Sequence, residues 1–370
     1  MSRRPATMGA AAPEGVISLA MGEPSEGTPG PIVDAAVAAL HAGRTRYEAL
    51  TGSPALRSAI ASHLTEAYGR EVTPEQIVCT HGGSGGLAAA VLATIDPGDR
   101  VVIPEPTYSL YADHVALAGG EVVWVANRPD GSIDVDRVRA ALKGARMLVL
   151  CSPGNPTGLV VGREELRALA DATVAAGAYL VCDEAYAGIV FDELPFASAL
   201  ELEATEHLIC SRTFSKTYAM TGWRLGYVVA NPRVAAAINL VHRTIAGGLA
   251  TFVQDAGVEA LRTPAAELHA VARSYQARRD LVLEALDGLP GVEIARPQGA
   301  FYAFVRVDSP LTSDELVAEL AKAGVLVRSG REYGPSGEGA FRISFATGSE
   351  ALTEGLVRIA RVLTQVTEPG

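Results

Sequence analysis

Met147-Leu148-Val149-Leu150-Cys151 is an apolar run of strand length that stops at Ser152-Pro153-Gly154-Asn155-Pro156-Thr157-Gly158, a stretch with turn chemistry. A helical pattern follows over 164–176, and then a second run, Tyr179-Leu180-Val181-Cys182, ends on Asp183-Glu184-Ala185-Tyr186. Strand, helix, strand at this spacing reads as a crossover between parallel neighbours. The unit repeats outward. On the N-terminal side, strands over 101–103 and 121–125 lead into helical patterns over 109–118 and 134–142. On the C-terminal side, runs over 207–210 and 225–230 extend the same sheet, and Pro232 opens the next helical pattern. The expected fold class is α/β, with a large domain whose mostly parallel seven-stranded sheet is flanked by helices.

Beyond a long helical stretch through 273–286 the pattern changes, with strands over 301–307 and 341–345 around a helix over 314–323. This predicts a smaller α+β domain completed by the N-terminal segment. The expected division is a large domain over 40–272 and a small one from 1–39 with 273–370.

Open α/β sheets gather ligands at the carboxyl ends of their strands. The residues there are Asn155, Asp183, Tyr186 and, after the run over 207–210, Thr213-Phe214-Ser215-Lys216. An amide, a carboxylate, a phenol and an amine thus converge on one edge. Of the 31 basic residues only Lys143, Lys216 and Lys322 are lysines, so amine chemistry has few candidates. Gly82-Gly83-Ser84-Gly85-Gly86 precedes an apolar helical run, where backbone N–H groups can cradle a phosphate; taken alone, a flexible turn is an equal reading. It fits neither nucleotide-binding glycine fingerprint, and the first βα turn of a nicotinamide dehydrogenase is absent.

The 370 residues, 48% hydrophobic and 20% charged, describe an ordinary globular chain of one large or two interlocked domains. A formal charge of −11 argues against nucleic acid as a partner. Arg3 and Arg4 precede no sustained apolar run, and no stretch approaches a membrane span, so the expected compartment is the cytoplasm. Cys79, Cys151, Cys182 and Cys210 are scattered through apolar runs as buried free thiols are, and the seven histidines show no metal-ligand spacing. No repeat or low-complexity tract interrupts the chain.

From Gly22-Glu23-Pro24 to Arg342 the sequence resembles the class I/II aminotransferases, the fold-type I pyridoxal 5′-phosphate (PLP) enzymes that include aspartate aminotransferase. The most specific piece is Thr213-Phe214-Ser215-Lys216-Thr217-Tyr218-Ala219-Met220-Thr221-Gly222-Trp223-Arg224-Leu225-Gly226, similar to the family's PLP-lysine signature. It departs from the pattern at Thr213, where Gly or Ser is commoner. The resemblance implies that Lys216 forms a Schiff base with PLP and then moves a proton, because only an amine condenses with the cofactor's aldehyde. It implies that Asp183 pairs with the pyridine nitrogen and keeps it protonated, whereas a helix N-cap is the plainer reading. Asn155 and Tyr186 are implied to hydrogen-bond the ring's phenolic oxygen.

The same resemblance puts Gly83, Ser84, Thr213 and Arg224 on the phosphate, and Tyr47 on the phosphate of a neighbouring subunit, which implies a homodimer with shared active sites. Tyr108 takes the place of the aromatic that stacks on the ring. Arg342 resembles the arginine that receives the substrate α-carboxylate, with a backbone contact from Gly22. Structural readings stay open beside these: core or loop aromatics for Tyr47 and Tyr108, a partnered structural arginine for Arg342, a plain turn for Gly22. The implied activity is transfer of an amino group from an L-amino acid to a 2-oxo acid. The same carbanion chemistry serves lyases, β- or γ-replacement, cyclisation and oxidative deamination, and the fold also occurs in PLP-binding sensors. A second arginine for a distal carboxylate has no clear position; Arg46 and Arg243 are possibilities, and Pro297-Gln298-Gly299-Ala300-Phe301-Tyr302 matches a family motif that names no substrate.

Overall fold

The computed structural model describes residues 13, 15–202 and 206–367. Arg3, Arg4 and the first twelve residues assigned above to the small domain lie outside the described residues. The strands are β1 (Ile17–Ser18), β2 (Ile77–His81), β3 (Arg100–Glu105), β4 (Glu121–Ala126), β5 (Met147–Cys151), β6 (Tyr179–Asp183), β7 (Leu208–Thr213), β8 (Leu225–Ala230), β9 (Val292–Ile294), β10 (Tyr302–Val307), β11 (Val325–Leu326), β12 (Arg328–Ser329) and β13 (Ala340–Ser344). The helices are α1 (Gly30–His41), α2 (Pro54–Tyr68), α3 (Gly82–Thr94), α4 (Leu110–Leu117), α5 (Val135–Ala141), α6 (Arg163–Ala175), α7 (Pro232–Ala246), α8 (Thr251–Ala260), α9 (Ala265–Leu286), α10 (Ser313–Lys322) and α11 (Ser349–Thr367).

The seven-stranded sheet runs β2-β8-β7-β6-β5-β3-β4, with β8 antiparallel to both neighbours and the other pairs parallel. Its central strands read as continuous apolar runs because both faces are covered. Leu148, Leu150, Leu180 and Cys182 point into one core, while Met147, Val149 and Val181 point into another on the opposite face. The α/β sheet expected from the sequence is present, and its seventh strand is β2, which the run of alternating units beginning near residue 100 did not include. Several helix starts have a local cause. Ser53 accepts from the Leu56 N–H at α2, Asn231 precedes Pro232 and caps α7, and Thr312 with Glu315 forms a capping box at α10.

A second, antiparallel sheet has the order β12-β13-β10-β9, and β1 pairs in parallel with β11. The N-terminal segment therefore joins the C-terminal part of the chain. The core there gathers Leu19, Phe301, Phe341, Ile343 and the buried stripe of α11, and it also takes in Tyr186, Ile189 and Phe191 from the segment after β6. The two sheets are thus locked together beside the carboxyl end of β6. Ile32 and Ala36 of α1 pack instead with Leu56, Ile60 and Cys79 beneath the large sheet.

At the carboxyl ends of β2 and β7 the backbones close in on Gly226, the second residue of β8. A Cβ there would lie 2.7 Å from Gly82 C, 2.8 Å from Gly83 N and 2.9 Å from Arg212 O, all backbone atoms without rotamers to yield. Gly226→Ala is expected to cost about 1–3 kcal/mol of stability, as overpacking of a close-packed site does. The urea midpoints of the two proteins check this, and equal midpoints refute the close approach.

Candidate functional site

A cavity of about 250 Å³ opens where β5, β6 and β7 end. It is lined by Gly22, Gly83, Ser84, Tyr108, Asn155, Asp183, Tyr186, Thr213, Lys216, Arg224 and Arg342, which are all the cofactor and α-carboxylate candidates singled out in the sequence except Tyr47. Parallel register brings the central groups together: Cys151 stands opposite Asp183, and Asp183 opposite Ser211, so the three strand ends are level. Tyr47 is 97% exposed and does not line the cavity. Arg46 and Arg243 are also exposed and stand apart from it. A neighbouring cavity of about 260 Å³ lies beyond Asn155 and Cys151, but neither lysine nor arginine lines it.

Lys216 is half-buried, and its Nζ donates to the Gly22 carbonyl at 2.7 Å. Loss of hydration pushes its pKa down to about 8; Glu23 and Asp183 oppose that, while Arg342 and Arg224 add to it. Asp183 is 5% exposed, and burial pushes its carboxyl up to about 6 although two hydrogen bonds favour the anion. Tyr111 Oη donates to its Oδ2 at 2.7 Å and the Ala185 N–H to its Oδ1 at 3.1 Å, so both oxygens are oriented. Directly behind, Glu184 forms a buried ion pair with Arg212 and also accepts from Ser198 Oγ and the Ala199 N–H. That network ties the end of β6 to the strand leading to Lys216.

The start of α3 faces the same cavity. Its N-cap residue His81 supplies no side-chain cap, which leaves the amides of Gly83 and Ser84 for another acceptor. Arg224 stands beside them in the left-handed region at φ 53°, a costly conformation for a residue with a Cβ. Its Nη1 donates to the Thr221 carbonyl at 2.9 Å. Thr213 Oγ1 accepts from the Ser215 N–H at 3.1 Å.

At the opposite wall Arg342 is almost wholly buried. Its Nη1 donates to Asn155 Oδ1 at 3.2 Å and its Nη2 to the Ala20 carbonyl, while Nε is buried without a hydrogen-bond partner. Two residues at the site escaped sequence reasoning. Tyr111 was read only as part of a helical pattern, and nothing in the sequence says that its hydroxyl reaches Asp183 from the first turn of α4. Tyr302 lines the cavity and sits in the 297–302 motif, where nothing in the sequence says what its hydroxyl touches.

Among the described residues no group of three or more His, Cys, Asp or Glu is arranged to hold a metal, and no helix is long and apolar enough to cross a membrane. The family model for aminotransferase class I and II matches residues 14–359. The aspartate aminotransferase of Pyrococcus horikoshii is 35% identical over 95% of this chain and 91% of its own length. The aspartate/prephenate aminotransferase of Thermus thermophilus is 37% identical over 94% and 91%. The crystal structure of an aromatic aminotransferase from Pyrococcus horikoshii superposes with a TM-score of 0.91 at 35% identity, covering 95% of this chain and 96% of that one. With a family match that spans nearly all of its length and relatives this similar from end to end, the chain belongs to the class I and II aminotransferases, enzymes that transfer amino groups.

Proposed function

We propose that the cavity around Lys216 holds PLP and that the chain uses it to move an amino group from an L-amino acid to a 2-oxo acid. One observation carries this reading: a half-buried amine, a buried carboxylate, an uncapped helix start with an arginine, and a buried arginine with an unused N–H all line one cavity. The local shape supports a phosphate at the helix start. A Cβ on Gly82 would lie 2.6 Å from Arg224 Nη2, so glycine keeps that guanidinium close to the α3 amides. When bound, PLP supplies an aldehyde that condenses with amines and a protonated ring that draws electrons from the substrate α-carbon.

The chain's own groups divide the remaining work. Gly83, Ser84, Thr213 and Arg224 hold the phosphate dianion through N–H, O–H and guanidinium donors. Asp183, anionic above about pH 6 and fixed by Tyr111 and Ala185, holds a proton on the ring nitrogen by its charge. Asn155 and Tyr186 hydrogen-bond the phenolic oxygen, and Tyr108 covers a ring face. Arg342 takes the α-carboxylate, using the Nε–H that has no partner within the chain, and Gly22 adds a backbone contact. Lys216 Nζ, once freed from the Gly22 carbonyl, takes the proton from the substrate α-carbon and returns it.

We also infer a homodimer in which Tyr47 reaches the phosphate of the partner subunit. Its exposure supports this, as does the apolar stripe of Val33, Val37 and Leu40 on the outer face of α1, which leaves large side chains in water. The inferred bodies are 40–272 and 1–39 with 273–370. The separate core around Phe301 and Phe341 supports them, while α1 lies against the larger one.

Borohydride reduction followed by peptide mass spectrometry is expected to find pyridoxyl phosphate on Lys216, with Lys216→Ala slowing keto-acid production by at least about 10²–10⁴-fold. An amino-acid panel that yields ammonia, peroxide or a replacement product instead of keto acid and aminated cofactor would overturn amino transfer as the reaction run from this site. A low amine pKa predicts that uptake of PLP by cofactor-free protein quickens with rising pH and levels off above about pH 8, because the neutral amine is the reacting form; a midpoint near 10 contradicts the shielded amine. Sedimentation at micromolar concentration is expected to give twice the chain mass, and a monomer there refutes the shared site.

A further inference from the structure

Tyr302, the first residue of β10, touches three parts of the site that come from distant stretches of chain. Its Oη lies 2.9 Å from Tyr186 Oη, and the two rings meet edge-on at 5.6 Å and 85°. Its ring face lies under the Arg342 guanidinium, 4.3 Å from centroid to carbon, while Tyr333 covers the guanidinium from another side at 5.4 Å. Its hydroxyl also reaches Gly22 so closely that a Cβ on that residue would overlap Tyr302 Oη. Gly22 does not have a left-handed φ, so space alone forbids a side chain there. Tyr302 is 2% exposed and lines the same cavity as Tyr186 and Arg342.

We propose that Tyr302 is a positioning residue that couples the carboxylate-holding guanidinium of Arg342 to the phenol of Tyr186, and that Gly22 is glycine to leave room for it. The inference rests on the PLP reading above. One ring performs two separable tasks. Its π face carries the buried guanidinium of Arg342, whose edge is held by Asn155 and Ala20, so the plane and the free Nε–H are both aimed. Its hydroxyl donates to Tyr186 Oη whenever Tyr186 spends its own proton on the cofactor's phenolic oxygen. A donor on a phenol's oxygen makes that phenol a stronger donor in turn, so the chain Tyr302 to Tyr186 to phenolic oxygen stabilises the anionic oxygen. The titratable and charged groups facing Tyr302 are Tyr186, Arg342, Tyr333 and Tyr108.

The two tasks separate in two variants of the PLP-loaded protein. Tyr302→Phe keeps the face and removes the hydroxyl. The pH midpoint of the bound cofactor's visible absorbance is expected to rise by about half a unit, the worth of one neutral hydrogen bond, while KM for the amino acid stays within about twofold. Tyr302→Leu removes the face as well. KM is expected to rise about fivefold to thirtyfold, the range of a desolvated cation–π contact, beyond the same midpoint shift. Gly22→Ala, whose added methyl crowds the hydroxyl and the ring edge that carries it while leaving Tyr302 itself in place, is expected to move the midpoint in the same direction as Tyr302→Phe. A wild-type protein without the absorbance overturns the PLP reading and this inference with it. A wild-type band whose midpoint is unmoved by both Tyr302→Phe and Gly22→Ala overturns the inference alone, as does a Tyr302→Leu variant with unchanged KM.

Discussion

The site depends on the register of three parallel strands. Cys151, Asp183 and Ser211 stand level across β5, β6 and β7, so the segments leaving these strands begin at one height on one edge. Side chains alternate along a strand, and a slip of one residue would turn Asp183 into the opposite core and bring Cys182 to the cavity. The register is enforced by the two apolar layers, since Leu148 and Leu180 must enter one core while Met147 and Val181 enter the other. Ordinary hydrophobic burial thus decides which residue of β6 presents its side chain at the cavity, and the site is built on that choice.

Such a site is expensive to maintain. A buried carboxylate and a shielded amine both lose hydration, which is why the one is pushed up to about 6 and the other down to about 8. Their own hydrogen bonds offset part of the loss, and the Glu184–Arg212 pair immediately behind Asp183 is compensated by a full set of donors rather than left bare. Backbone strain collects nearby. Ala219, Arg224 and Ala300 all adopt positive φ, flanking the lysine loop and the approach to Tyr302. The surrounding core holds these residues in conformations that they would not choose alone.

Much of this was legible in the sequence because it is written in local signals. Apolar runs of strand length bounded by turn residues marked the parallel units, and the residues just beyond them carried the amide, carboxylate, phenol and amine. The lysine loop matched a family pattern long enough to fix its neighbours. What escaped lacked a local signal. β2 precedes a glycine cluster that reads equally as a flexible turn or a phosphate cradle, and it joins the sheet only through β8, more than a hundred residues later. Tyr111 looked like one more apolar residue on a helix, since its buried partner lies 72 residues away. Tyr302 stood inside a quoted motif, yet its contact with Arg342 arises only when β10 pairs with β13, and its contact with Tyr186 only when the two sheets meet.

The hydrogen bond from Lys216 Nζ to the Gly22 carbonyl joins the lysine loop to the N-terminal segment across 194 positions of sequence. In the PLP reading proposed above, the donor is the very atom that the cofactor's aldehyde takes. Ligand and backbone carbonyl therefore compete for one amine, and occupancy of the cavity is linked by mass action to the seating of residues 20–22. The same segment also gives Arg342 the Ala20 carbonyl and gives Tyr302 its room at Gly22. Three successive residues, Ala20, Met21 and Gly22, thereby moor the amine, the guanidinium and the phenol to one short piece of backbone.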